Sequence, residues 1–331
     1  MKPRERLSAI LNGRMPDDRL PMIEWAAWWD KTMDRWKQEG MPAGLSWVQS
    51  LQYFGLDELH SISAVPDVPP APSHGAAVID GEAGYEALRE RLYAPAAIER
   101  LLKSAAQLKE RHDAGELSIR VWLDGFFWYP RRLFGIEPHL YAFYDQPELM
   151  HRINRELLAF NLAAVEELFS VLKPDFIGMA EDMSYNYGPM LSRQLFTEFL
   201  LPYYRKLTGY CKSRQVPVLT DSDGDITVMV PWLLEAGIDG VYPLERQAGV
   251  DMALIRRDYP EFIMMGGYDK MVMSRGEAAM RAEFDRILPV MRSGRYIPSV
   301  DHQTPPGVSL DNYRIYIGLF REYCEKAVKN G

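Results

Sequence analysis

Cysteine is almost missing: Cys211 and Cys324 are the only two in 331 residues. They lie far apart and form no C-x-x-C, so neither a disulfide framework nor an all-thiolate zinc site can be assembled from them. A reducing compartment is the expectation. Long apolar runs are missing too, none approaching the roughly 20 residues that a membrane-spanning helix needs. The segment from Met1 to Asp18 is charged and reads as a short helix, without the apolar stretch of a secretion signal. Positive charge is in deficit, with 38 Lys and Arg against 46 Asp and Glu and a net charge of -8. Nucleic acids and anionic membranes call for basic clusters, so neither is an expected partner. A cytoplasmic protein with a small-molecule substrate is expected instead. Internal repeats and low-complexity tracts are likewise absent from the sequence.

What is present is an alternation of strand-like and helix-like segments with acids at the strand ends. Hydrophobic residues make up 47% of the chain and charged residues 25%, ordinary proportions for a globular enzyme. The length suits one α/β barrel or two smaller domains. The run Val216-Pro217-Val218-Leu219-Thr220 has a strand composition and passes directly into Asp221-Ser222-Asp223-Gly224-Asp225, after which Ile226 to Ala236 is amphipathic at helical spacing. Carboxylates at the carboxyl end of a buried parallel strand sit where α/β enzymes place their chemistry, because the strand fixes them and the loop exposes them. Asp221 and Asp223 can turn toward one point and hold a cation or a substrate proton there. The plainer alternative is that one caps the following helix and the others are solvated.

The same arrangement recurs along the chain. Pro3 to Gly13 reads as a helix and Pro21 to Trp25 as a strand ending on Glu24. Leu45 to Leu59 has a helical pattern, Val65 to Pro72 is a proline-stiffened loop, Ala76 to Asp80 reads as a strand or hairpin arm, and Pro95 to Glu116 as a long helix. Ile119 to Leu123 ends on Asp124 and runs into Gly125-Phe126-Phe127-Trp128-Tyr129-Pro130-Arg131-Arg132. After a helix over Pro147 to Leu172, the strand Asp175 to Met179 ends on Ala180-Glu181-Asp182. Ile238 to Pro243 ends near Glu245, Phe262 to Gly267 is followed by Tyr268-Asp269, and Arg295 to Val300 by Asp301-His302.

Close to eight βα units in one chain predict a single closed (β/α)8 TIM barrel over residues 1–331, with an N-terminal helical extension and its strand-terminal acids on one face. Glu181, Asp182, Asp124 and Arg131 are the candidate catalytic groups. Arg131 with Arg132 has the fork geometry to clamp a substrate carboxylate, the plainer reading being two surface arginines. Trp25, Trp28, Trp29 and Trp36 fall within a dozen residues, and core packing is the commoner fate of such a cluster. The competing reading makes Trp25, Trp28, Phe126, Trp128 and Tyr268 the wall of a pocket for a planar substrate.

In the opening Arg4-Glu5-Arg6-Leu7 through Pro21, in Pro147-Glu148-Leu149-Met150, in Phe196-Thr197-Glu198-Phe199-Leu200-Leu201-Pro202-Tyr203-Tyr204 and in Pro305 to Asn312, the chain resembles the uroporphyrinogen decarboxylase superfamily over essentially its whole length. The resemblance implies a (β/α)8 barrel and one of two activities. The superfamily holds the decarboxylase itself and corrinoid-linked methyltransferases, among them the methyltransferase components of anaerobic O-demethylases and enzymes that deliver methyl groups to a thiol. In the decarboxylases an arginine-rich segment after the first strand grips the carboxylates of the tetrapyrrole; here that place holds Trp25, Trp28, Trp29 and Asp30. The thiol-directed methyltransferases bind zinc through a His-x-Cys pair after the fifth strand and a Cys after the eighth. Asp221, Asp223 and His302 fall on those positions.

The resemblance therefore implies a divalent metal, zinc or a harder ion, on Asp221, Asp223 and His302, with Glu181 as a further ligand or a base. It also implies a corrinoid carried by a partner protein and not bound permanently. The leading expectation is methyl transfer between a small donor, such as an aromatic methyl ether, and that corrinoid protein, with the metal as Lewis acid. The alternative is a decarboxylase or other lyase that uses the acids and His302 for proton transfer without metal. A homodimer is the expected assembly.

Overall fold

Parallel strands in chain order build the centre of the computed structural model, which describes residues 1–329. There are seven in the sheet: β1 (Leu59–Ala64), β2 (Ser118–Asp124), β3 (Phe176–Ala180), β4 (Val218–Asp221), β5 (Gly240–Tyr242), β6 (Ile263–Tyr268) and β7 (Tyr296–Val300). Helices fill the connections, as with Ala96–Asp113 before β2 and Pro147–Val171 before β3. Parallel neighbours need such crossovers, and winding them in one direction curls the sheet.

Register decides which side chains face inward. Trp122 pairs with Gly178, Asp124 with Ala180, Ala180 with Asp221, and Asp221 with Tyr242. Residues in register share a face because side chains alternate along a strand. Arg120, Trp122 and Asp124 of β2 therefore share the inner face with Gly178, Asp221 and Tyr242. On the other face Ile119, Val121 and Leu123 are fully buried and belong to the layer between sheet and helices. The N-terminal helix Pro3–Leu11 buries Leu7 and Ile10, and Arg4 Nε donates to Asp175 Oδ1 at 3.0 Å. That bond lies just ahead of β3, at the end of the sheet opposite its acids.

The expected strand Pro21 to Trp25 is not one. Leu20, Met22, Ile23 and Glu24 are buried, but the segment touches the two edge strands through side chains and loops instead of a ladder. Asp57 N donates to Met22 O at 2.8 Å just ahead of β1, and Trp25 Nε1 donates to Val300 O at 2.9 Å on β7. The ladder is a curled seven-stranded sheet where eight strands were expected.

Three local expectations also change. The helix predicted over Leu45 to Leu59 is Trp47–Phe54, ended by Gly55 at φ 66, and the chain then starts β1 at Leu59. Ala76 to Asp80 forms no strand; Val78 N and Ile79 N both donate to Leu133 O, at 2.7 and 3.1 Å. Ile226 to Ala236 splits into a 3-10 turn over Thr227–Met229 and a short helix over Val230–Glu235. Among the described residues no helix is long and apolar enough to cross a membrane.

Candidate active site

Acids from the carboxyl ends of β2, β3 and β4 surround a cavity of about 310 Å³ lined by Ser63, Trp122, Asp124, Trp128, Glu181, Asp182 and Asp221, among others. Glu181 is its most constrained member. One carboxylate oxygen accepts from Phe126 N at 2.8 Å, and the other from Phe127 N at 2.8 Å and Trp128 N at 3.0 Å. The carboxylate thus satisfies the free N–H groups where the helix Trp128–Phe134 begins. Burial still pushes its pKa up to about 8, against the pull of those three donors. Asp124 is ion-paired with Arg132, and its burial raises its pKa as well.

Asp182 is one of the few non-glycine residues with positive φ, at 42°. Its N–H and that of Glu181 both donate to Asp221 O, at 3.2 and 2.9 Å, so the loops after β3 and β4 are bonded together. The Asp182 carboxylate lies 3.5 Å from Asp223 N, and Glu245 Oε2 accepts from Gly224 N at 2.8 Å. These contacts draw together a second group at the rim. Asp223, Glu245 and His302 each present a ligand atom, all within 4.8 Å of one another. His302 Nε2 lies 3.8 Å from Asp223 Oδ2, and the Trp25 ring meets the imidazole edge-on at 5.8 Å between centroids.

Acids dominate the rim, with Lys270 close enough to act on Asp223 and His302. Burial, with Asp182 and Glu245 close by, pushes Asp223 up to about 7. Asp221, more deeply buried and next to Asp182 and Asp223, is pushed well above the usual carboxylate range. Burial lowers the His302 pKa, against an opposing pull from Glu245. Two carboxylates and an imidazole, half-buried and crowded by further acids, fit a divalent cation by donor type.

Asp124, Glu181, Asp182, Asp221 and Trp128 from the expected set line the cavity. Asp223 and His302 join at its rim through Asp182, but the third member of their group is Glu245. Asp221 is not part of it. Arg131 points away from a clamp: its Nη1 donates to Asp182 O at 3.2 Å and its guanidinium stacks 5.3 Å from the Trp128 ring. Arg132 is already paired with Asp124.

The aromatic wall is thinner than expected. Trp28 is a core residue, 5% exposed, packed on Trp36, Trp47 and Phe54 with its Nε1 donating to Tyr313 OH at 2.9 Å. Phe126 packs on Tyr203 and Tyr204, and Tyr268 on Phe284 and Tyr316, both fully enclosed. In each case the ring packs against side chains of the surrounding helices. Glu245 was missed as a site residue although it follows β5 as the other acids follow their strands. Arg120 was missed too, and its signal was a charge between Ile119 and Val121 in an otherwise apolar strand.

The family model described as uroporphyrinogen decarboxylase (URO-D) matches residues 76–323. No curated protein matches the chain in sequence. Among solved structures, a methyltransferase from Methanosarcina mazei aligns with a TM-score of 0.68 at 13% identity, covering 98% of this chain and 99% of that one. At that identity the likeness is one of fold. A 7,8-dihydropteroate synthase from Vibrio fischeri ES114 aligns at a TM-score of 0.35 and 12% identity over 86% of each chain. The catalytic domain of a β-amylase from Paenibacillus polymyxa aligns at 0.37 and 9% identity over 97% of this chain and 94% of that one. Neither of these last two bears on fold or function.

Proposed function

The chain belongs to the uroporphyrinogen decarboxylase family, and from that premise we propose that it is a metal-assisted methyltransferase moving a methyl group between a small donor and a corrinoid carried by a partner protein. One observation carries the reading: Asp223, Glu245 and His302 converge within 4.8 Å beside a cavity of about 310 Å³. A cavity of that size suits a single-ring substrate and not a macrocycle with several carboxylates. The Methanosarcina mazei neighbour, a methyltransferase, supports the same choice. We also take the extended segment 20–25 as the eighth stave of a closed barrel, since it bridges the two edge strands.

A divalent cation such as zinc, held by Asp223, Glu245 and His302, would supply Lewis acidity toward the donor oxygen. The remaining work falls to the chain. Trp128 offers a ring at the cavity wall, held by the stacked Arg131, against which a planar donor packs. Glu181 fixes the loop that carries Trp128. When the methyl–oxygen bond breaks, its electron pair stays on oxygen, and that oxygen takes up a proton. Asp182, which lines the cavity and lies beside Asp223 of the cation group, is the acid we assign to deliver it.

A lyase reading keeps support from the buried acids Asp124 and Glu181, whose raised pKa values suit protonation of a carbanion. The test is metal analysis of protein purified without chelator, followed by mixing with reduced cobalamin and a methoxylated aromatic while the absorbance of the reduced corrinoid is followed. Metal-dependent loss of that absorbance supports methyl transfer. Metal-free protein that releases carbon dioxide from a small aromatic acid supports the lyase and sinks the first reading.

A further inference from the structure

Inside the sheet, below the acids, sit polar groups that the proposed chemistry does not use. Arg120 projects from the inner face of β2 and makes no ion pair among the described residues; its Nε and Nη1 are buried with no hydrogen-bond partner. The Tyr242 hydroxyl, from β5, is in the same condition, and the residue is fully buried. The two side chains approach each other: the Arg120 guanidinium lies 5.5 Å from the Tyr242 ring centroid and 5.2 Å from that of Trp122. A Cβ on Gly178 would lie 2.2 Å from the Tyr242 oxygen, so the glycine is what lets the hydroxyl reach across to β3. Gly178 is in register with Trp122, and Trp122 lines the cavity. An unpaired guanidinium and an unpaired hydroxyl thus meet behind Trp122, the residue through which they adjoin the cavity.

Leaving such groups unpaired costs about 1–3 kcal/mol for each neutral group and more for a charge. A cation–π contact recovers part of this for Arg120 and nothing for the hydroxyl. Both are hydrogen-bond donors, and a planar carboxylate accepts from a guanidinium and a phenol together.

We infer that Arg120 and the Tyr242 hydroxyl form a carboxylate-binding subsite at the inner end of the cavity, so that the substrate is a small aromatic acid with its anionic group inward and its reacting group toward Asp223, Glu245 and His302. The orientation toward those three residues rests on the methyltransferase reading; the subsite itself does not. It also takes the role that sequence assigned to Arg131 and Arg132, both engaged elsewhere.

The test is calorimetric titration of the wild-type protein with benzoate and with its neutral isostere benzamide, repeated on Arg120→Gln and Tyr242→Phe. Benzoate is expected to bind the wild type more tightly than benzamide, to lose about tenfold or more in Arg120→Gln and about fivefold in Tyr242→Phe, the sizes expected for charged and neutral hydrogen bonds. Benzamide affinity should not change with Arg120. Tyr242→Phe keeps the ring and its packing, so it decides the matter even if Arg120→Gln folds poorly. Benzoate bound no better than benzamide, or equally well by wild type and Tyr242→Phe, overturns the subsite. Intact, Arg120-dependent benzoate binding without methyl transfer to cobalamin sinks the methyltransferase reading alone. Methyl transfer with benzoate affinity independent of Arg120 and Tyr242 sinks the subsite alone.

Discussion

A Cβ on Gly125 would lie 2.1 Å from the carboxylate carbon of Glu181. The glycine therefore makes room for the acid that holds the loop after β2, and the two residues act as one device. Gly125→Ala should expel Glu181 from its three N–H donors and cost about 3 kcal/mol, the sum of three lost hydrogen bonds. Gly209→Ala is the control, since it lies in the helix Leu201–Ser213 with nothing within 4 Å of the new methyl, and should gain about 0.5–1 kcal/mol. Urea unfolding of both variants checks the pair. Equal stability of Gly125→Ala and wild type would mean that Glu181 does not organise this loop.

Glu24 should make the protein less stable as pH rises. It is buried and accepts from Tyr313 OH at 3.2 Å and Ser299 Oγ at 3.3 Å, and burial raises its pKa from 4.5 to about 7. Between those values the folded state keeps a proton that the unfolded chain has lost. The stabilisation is complete below the lower value, declines through the interval and is gone above about 7. The full effect is about 3 kcal/mol. Glu24→Gln should flatten that part of the stability profile, matching wild type in acid and exceeding it at pH 8. Parallel wild-type and variant profiles would show that Glu24 does not titrate across this range.

Metal content should follow the rim group and not the strand end. His302→Ala and Glu245→Ala are each expected to lower affinity for zinc by about tenfold or more, because each removes one of three ligands. Asp221→Asn should retain the ion, since its carboxyl lies outside that group. Elemental analysis after dialysis reads all three variants. Retention by the first two and loss by the third would restore the ligand set expected from sequence.

Trp28→Ala should cost about 3–5 kcal/mol, the range for removing a buried aromatic side chain. The loss should be the same with and without ligand, because Trp28 packs on Trp36, Phe54 and Tyr313 away from the cavity. Thermal melts with and without benzoate measure it. A loss that appears only with ligand present would return Trp28 to the pocket.

The strands were legible because a short apolar run ending on turn or acidic residues is a local signal, and β2 to β7 lie within a residue or two of their expected places. The acids at their ends were legible for the same reason. The segment Pro21 to Trp25 misled because apolar composition reports burial, not ladder pairing. β1 was hidden because Leu59-His60-Ser61-Ile62-Ser63-Ala64 alternates only weakly after a helical stretch.

By itself, then, the sequence determined the order of strands and helices and the placing of Asp124, Glu181, Asp221 and Asp223 at the strand ends, since both follow from neighbours along the chain. Tertiary structure alone decided that Glu245 and not Asp221 meets Asp223 and His302, that Trp28, Phe126 and Tyr268 turn into the core, and that Arg120 and Tyr242 face each other inside the sheet. Those outcomes depend on register between strands distant in sequence and on single backbone angles such as φ 42° at Asp182. A side chain's direction is local, but what stands opposite it is settled only when the sheet closes.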